Sequence, residues 1–171
     1  LMDTSTLFPD LPDAARCWVH TAAEPMTEAT AETLEERMED FIEGWSSHGQ
    51  SVTGRVAVLD DRFLVLAATL PNGSISGCGI DGAVHAIDEA AADLQIDWMP
   101  ALHVAYRGPD GSVETVSRPT FRSRVEAGKI TAETPVFDPS VTELGEVRDG
   151  SFEQPAGASW HARTFSIPQT A

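Results

Sequence analysis

Two short stretches hold the side chains best suited to chemistry. In Ser76-Gly77-Cys78-Gly79-Ile80-Asp81 a cysteine sits between glycines, just ahead of an amphipathic segment. Glycine allows positive φ and close backbone approach. A helix start offers free N–H donors and the positive end of the dipole, which suits an anion. A thiol at such an end loses its proton more readily and becomes a nucleophile. The stretch therefore reads as a ligand-binding loop formed by Ser76, Gly77, Gly79 and Asp81, or as the home of a nucleophilic Cys78. A plain strand-to-helix connection, with Asp81 as N-cap and an inert thiol, is the structural alternative. The Asp81 carboxylate works against a thiolate beside it. Trp45-Ser46-Ser47-His48-Gly49 is the second stretch. A histidine at a helix C-terminus is favoured as a cation, and His48 is the base that a Cys78 nucleophile would need. Equally, it reads as a capping residue beside Trp45. Trp45 and Tyr106 complete the candidate ligand-binding set, Tyr106-Arg107 offering a hydroxyl and a guanidinium to an anion at a strand end.

Other motifs are incomplete. The 5 histidines (His20, His48, His85, His103, His161) show no H-x-x-x-H spacing, so no metal site is expected. Gly157-Ala158-Ser159-Trp160-His161 resembles half of a nucleophile elbow but lacks the second glycine. Gly128-Lys129-Ile130-Thr131 lacks the rest of a phosphate-binding loop. No cofactor is expected.

The elements that must position these residues follow from periodicity. Arg16–Thr21 alternates and reads as a first strand. Ala31, Leu34, Met38, Phe41 and Trp45 recur at helical spacing, which predicts a helix from Thr27 to Ser47 ended by Gly49. Val52–Val58 and Arg62–Ala68 read as a hairpin around Asp60-Asp61, the second strand being apolar throughout and so buried on both faces. A second helix is predicted over 82–94. Leu102–Tyr106 and Val113–Ser117 form another hairpin around Gly108-Pro109-Asp110-Gly111. Pro119 starts a short third helix that Gly128 stops. Beyond residue 130 only short extended pieces are expected, around Val136-Phe137 and over Trp160–Phe165. The fold class is α+β: a largely antiparallel sheet from two hairpins plus an N-terminal strand, two main helices on one face, and a short third helix. Residues 12–167 form a single domain, and residues 1–11 an irregular arm.

Charge restricts the partners. The chain of 171 residues carries 27 acidic and 11 basic residues, a net charge of −16. Bulk charge therefore excludes a phosphate-backbone binder, so no nucleic acid is expected, and it disfavours an anionic membrane surface. Lys129 is the only lysine. Many carboxylates with few lysines fit adaptation to concentrated salt, where the Debye length falls to about 3 Å near 1 M. Two cysteines make no disulfide framework. No apolar run reaches a membrane span and no secretory signal is visible, so the cytoplasm is the expected location.

Ala15–Val19, Trp45–Gly49, Ser76–Asp81, Val104–Tyr106, Gly128–Phe137 and Ser159–His161 together resemble a family of small uncharacterised bacterial proteins with W-x-x-H-G and S-G-C-x-I-D motifs. The likeness runs from about residue 12 to residue 165. Members often carry the label of an ABC-transporter ATPase, which this chain does not support, having no Walker A loop. The resemblance implies a shared fold and site, with no known activity. Three readings follow. The first is an acidic module that binds a small ligand or a protein partner at the Gly-Cys-Gly loop. The second is a thiol enzyme using Cys78 with His48 as base, and the third is a homo-oligomer subunit.

Overall fold

The computed structural model describes residues 1–169. In chain order the elements are β1 (Arg16–Thr21), α1 (Glu28–Glu43), β2 (Ser46–Ser47), β3 (Gln50–Ser51), β4 (Thr53–Leu59), β5 (Phe63–Thr69) and α2 (Gly77–Asp93). Then come β6 (His103–Arg107), β7 (Val113–Ser117), α3 (Arg118–Glu126), β8 (Pro135–Phe137), α4 (Leu144–Arg148), β9 (Glu153–Pro155), a 3-10 turn and α5 (Trp160–Thr164). The class is α+β, and the paired strands are antiparallel. Among the described residues no helix is long and apolar enough to cross a membrane.

The strands form two main sheets rather than one. The first has the order β1-β5-β4, the second β7-β6-β8-β9, and β2-β3 is a separate small ribbon. Side-chain alternation explains the layering. On β5, Leu64, Leu66 and Ala68 join the core under α1 and α2, where Leu34, Met38, Ala83 and Ile87 are buried. Phe63 and Val65 point the other way, to the second sheet's Ala105, Val113 and Phe137. That strand is apolar throughout because each of its faces meets a core. On the far side of the second sheet, Val104, Tyr106 and Val136 pack against Phe121 and Val125 of α3 and against Phe165. The chain is thus a four-layer stack of helices, sheet, sheet and helices. Phe63 stands edge-on to Phe152 with ring centroids 5.1 Å apart, and lies 4.6 Å from Phe137.

One arginine ties the sheets together. Arg62 is only 4% exposed and donates to the carbonyls of Ala22, Ala23 and Val113 and to the Thr115 hydroxyl. Burial lowers its pKa from the ordinary value, partly offset by Glu24. The Asp60-Asp61 turn delivers it, both aspartates having φ +55° and Arg62 N–H closing on Leu59 C=O at 3.0 Å. Arg148 plays a similar part for the irregular residues 1–11, donating to the carbonyls of Leu7, Phe8 and Leu11.

Three local expectations are corrected. The first helix ends at Glu43, with Gly44 as its C-cap. Residues 46–51 instead form a ribbon whose tip, His48-Gly49, takes φ +53° and +73°. Trp45 kept the helical spacing because its ring still packs on Phe41 (5.1 Å) and Trp18 (5.9 Å). The second helix begins at Gly77 rather than 82, with Ser76 and not Asp81 as the N-cap. Trp160–Thr164, expected to be extended, is helical, with Ser159 capping its start.

Candidate functional site

The start of α2 is built from two serines and an indole. Ser76 Oγ accepts the Gly79 N–H at 3.1 Å, the usual service of an N-cap. Ser47 Oγ accepts the Ser76 N–H at 2.8 Å and donates to Ser76 Oγ at 3.0 Å. Trp45 Nε1 donates to the Gly79 carbonyl at 3.1 Å. The W-x-x-H-G and S-G-C-x-I-D stretches are therefore locked to each other. Gly79 is required by this contact: a Cβ there would lie 2.8 Å from Ile75 Cγ2 and 3.3 Å from Ser47 Oγ. Trp45 and Gly79 are buried, whereas Gly77, Cys78 and Asp81 are exposed. The Gly77 and Cys78 N–H groups have no partner among the described residues.

The sequence placed His48 at a helix C-terminus, where a dipole would favour its charge. It stands instead at the exposed tip of the β2-β3 ribbon, so that electrostatic argument lapses. The Cys78 thiol makes no hydrogen bond, to His48 or to any other described group. Asp81 is the fifth residue of α2 and exposed, not the cap. Burial, with the nearby Glu146 carboxylate adding to it, pushes the other thiol, Cys17, up to about 12. Cys78 is thus the accessible sulfur of the two.

Beside the start of α2 lies a cleft of about 300 Å³. Arg16 on β1, the end of β5 (Ala68, Thr69) and the loop residues Gly73, Ser74 and Ile75 line it, and Ile80 closes the α2 side. The Arg16 guanidinium lies over the Trp18 ring at 5.6 Å and has no carboxylate partner among the described residues. Among the described residues the ion-paired arginines are Arg37, Arg55, Arg107, Arg124 and Arg148, and Arg16 is not one of them. Arg16 was legible in the sequence only as the first residue of a strand. The candidate residues Ser76, Gly77, Gly79 and Cys78 adjoin this cleft along the chain without lining it.

Tyr106 belongs elsewhere. It sits in the core between the second sheet and α3, whereas Trp45 sits in the core between α1, α2 and the first sheet. Its hydroxyl donates to Glu114 at 2.9 Å and accepts from Arg124. Burial, followed by the bond to Glu114, raises its pKa. Arg107, expected beside it, points to the opposite face because neighbours alternate on a strand. There it is paired with Asp60 at 2.6 Å and Glu153 at 2.7 Å. Among the described residues no group of histidine, cysteine and carboxylate side chains could hold a metal ion.

No family model, curated protein or solved structure matches this chain.

Proposed function

We propose that this protein is a binding module for a small anionic ligand, held in the cleft between Arg16 and the loop that enters α2. The observation that carries the reading is Arg16, which lines the cleft with Gly73, Ser74 and Ile75 and whose guanidinium has no carboxylate partner among the described residues. A guanidinium presents five N–H donors in a rigid fork that matches a carboxylate or a phosphate. The exposed first turn of α2, with two unclaimed N–H groups, adds positive potential at the same end of the molecule. The Ser47–Ser76 and Trp45–Gly79 bonds hold this turn rigid, which lowers the ordering cost of binding. Two cysteines with no disulfide between them fit a reducing compartment such as the cytoplasm.

The test is calorimetric titration of the whole chain with citrate and with inorganic phosphate at fixed ionic strength. Saturable binding that Arg16→Gln weakens by about tenfold or more supports the module. Equal heats in wild type and variant would overturn it.

Exposure of Cys78 at a helix start favours a second reading, thiol chemistry without a histidine base. Iodoacetamide labelling of the native protein at pH 6 decides this. Rapid modification supports a thiolate, and labelling no faster than a free thiol removes the reading.

A further inference from the structure

The largest cleft described lies on the other half of the molecule, with a volume of about 460 Å³, and is lined by Tyr106, Pro109, Glu114, Arg124 and Lys129. It gathers the chain's only tyrosine and only lysine. Arg124 Nη1 donates to Glu114 at 2.5 Å and to the Tyr106 hydroxyl. Its Nε and Nη2 have no acceptor among the described residues. Glu114 balances the charge of Arg124. The Lys129 ammonium has no ion-pair partner among the described residues, so the cleft carries a net positive charge. Arg118 and Arg122 of the same helix lie over Trp160 and Phe165, so the charge of the cleft comes from Arg124, Lys129 and Glu114 alone. A cleft of net positive charge on an acidic molecule concentrates small anions where the rest of the surface repels them.

We infer that this cleft is a second oxyanion site, taking the phosphate or carboxylate group of a small molecule. The anion bridges the free Arg124 N–H groups and the Lys129 ammonium. Tyr106 and Glu114 hold the guanidinium in place beneath it. Pro109 supplies an apolar wall for the rest of the ligand. The inference is independent of the Arg16 cleft, because the two sites sit on different sheets.

A single tyrosine makes the test direct, since its ring gives one set of NMR signals. The full chain is titrated with inorganic phosphate and, separately, with acetate at fixed ionic strength. The Tyr106 ring signals are expected to shift saturably with one or both. Phosphate alone points to a phosphorylated ligand, and acetate alone to a carboxylate. Lys129 is exposed, so Lys129→Met keeps the fold and should weaken the effect about tenfold, with Lys129→Arg restoring it. Arg16→Gln should leave this titration unchanged. No shift, a non-saturating drift, or an identical curve in Lys129→Met would overturn the inference.

Discussion

The two outer helix layers of this molecule solve the same packing problem with opposite charge. α1 and α2 cover the first sheet and are acidic: α1 carries Glu28, Glu32, Glu35, Glu36, Glu39, Asp40 and Glu43 against Arg37 alone. α3 and α5 cover the second sheet and are arginine-rich, with Arg118, Arg122, Arg124 and Arg163 against Glu126. The difference extends to the manner of packing. The acidic layer meets its sheet mainly through aliphatic side chains, with Trp18, Trp45, Phe41 and Trp98 among them. The basic layer uses aromatic rings with arginines laid on them, Arg118 over Trp160 at 5.8 Å and Arg122 over Phe165 at 5.5 Å. Charge on one side is spread over solvent, while on the other it is folded into the packing, which is where binding surfaces gain directional donors.

The largest expected effect that separates the layers is a response to acid. His161 on α5 is 1% exposed and its Nε2 has no partner among the described residues. Burial lowers its pKa from 6.5 to about 4, with Asp138 opposing the shift and Arg118 adding to it. The unfolded chain therefore takes up this proton at a higher pH than the folded one. Stability is complete above about pH 6.5 and is lost as pH falls towards 4, by about 3 kcal/mol. His20, on β1 of the first sheet, is shifted downwards by burial too and adds in the same sense. Urea midpoints measured across this window should slope steeply in wild type and much less in His161→Phe. An unchanged slope in that variant would assign the effect elsewhere.

Salt should act on the acidic layer. Glu28–Glu32, Glu32–Glu36, Glu35–Glu39, Glu36–Asp40 and Glu39–Glu43 are like-charge pairs one helical turn apart. At a few tenths of a kcal/mol each, screening them is worth about 2 kcal/mol. Unfolding midpoints should rise from dilute buffer to molar sodium chloride. Glu32→Gln/Glu36→Gln/Glu39→Gln should reduce that rise, whereas Arg118→Gln/Arg122→Gln should not. A flat salt response in wild type would end the salt-adaptation reading.

Smaller effects sharpen the contrast. Trp160 is 40% exposed and stacks on His161 with centroids 3.8 Å apart. Trp160→Ala should cost about 1 kcal/mol through the lost ring contact and cation–π contact, read as a lowered melting temperature. Arg37→Gln, which breaks the exposed 2.7 Å pair with Asp93 between α1 and α2, should cost less than about 0.5 kcal/mol. A larger loss there would mean that charge is structural in the acidic layer after all.

What could be read from the sequence follows the range of the forces involved. β1 over Arg16–Thr21 and β7 over Val113–Ser117 have the bounds that alternation suggests, and Thr27 and the Asp60-Asp61 turn do the local jobs their residue types favour. The start of α1 was legible because its cap, Thr27, is fixed by a bond within its own turn. At α2 Asp81 was the expected cap, and Ser76 takes that place because Ser47, distant in sequence, fixes it from outside. The end of α1 was hidden for a similar reason, since Trp45 stays in the core after the helix stops. The partition into two sheets was not legible, because strand pairing depends on contacts such as those of Arg62, which reach far along the chain. Of the candidate site residues, the structure joins Trp45, Ser76 and Gly79, and assigns Tyr106 to a separate cleft. Arg16 and Arg124 carried no local motif. Their interest lies in what does and does not pair with them in space.

The most direct measurement on the α2 site is a ¹H–¹⁵N titration of the whole chain with citrate, following the amides of Gly73, Ser74, Ile75, Gly77 and Cys78. A binding module at the Arg16 cleft predicts that the loop amides shift together and saturate, and that Arg16→Gln removes the response. Amides that stay still, or that move alike in both proteins, would contradict it.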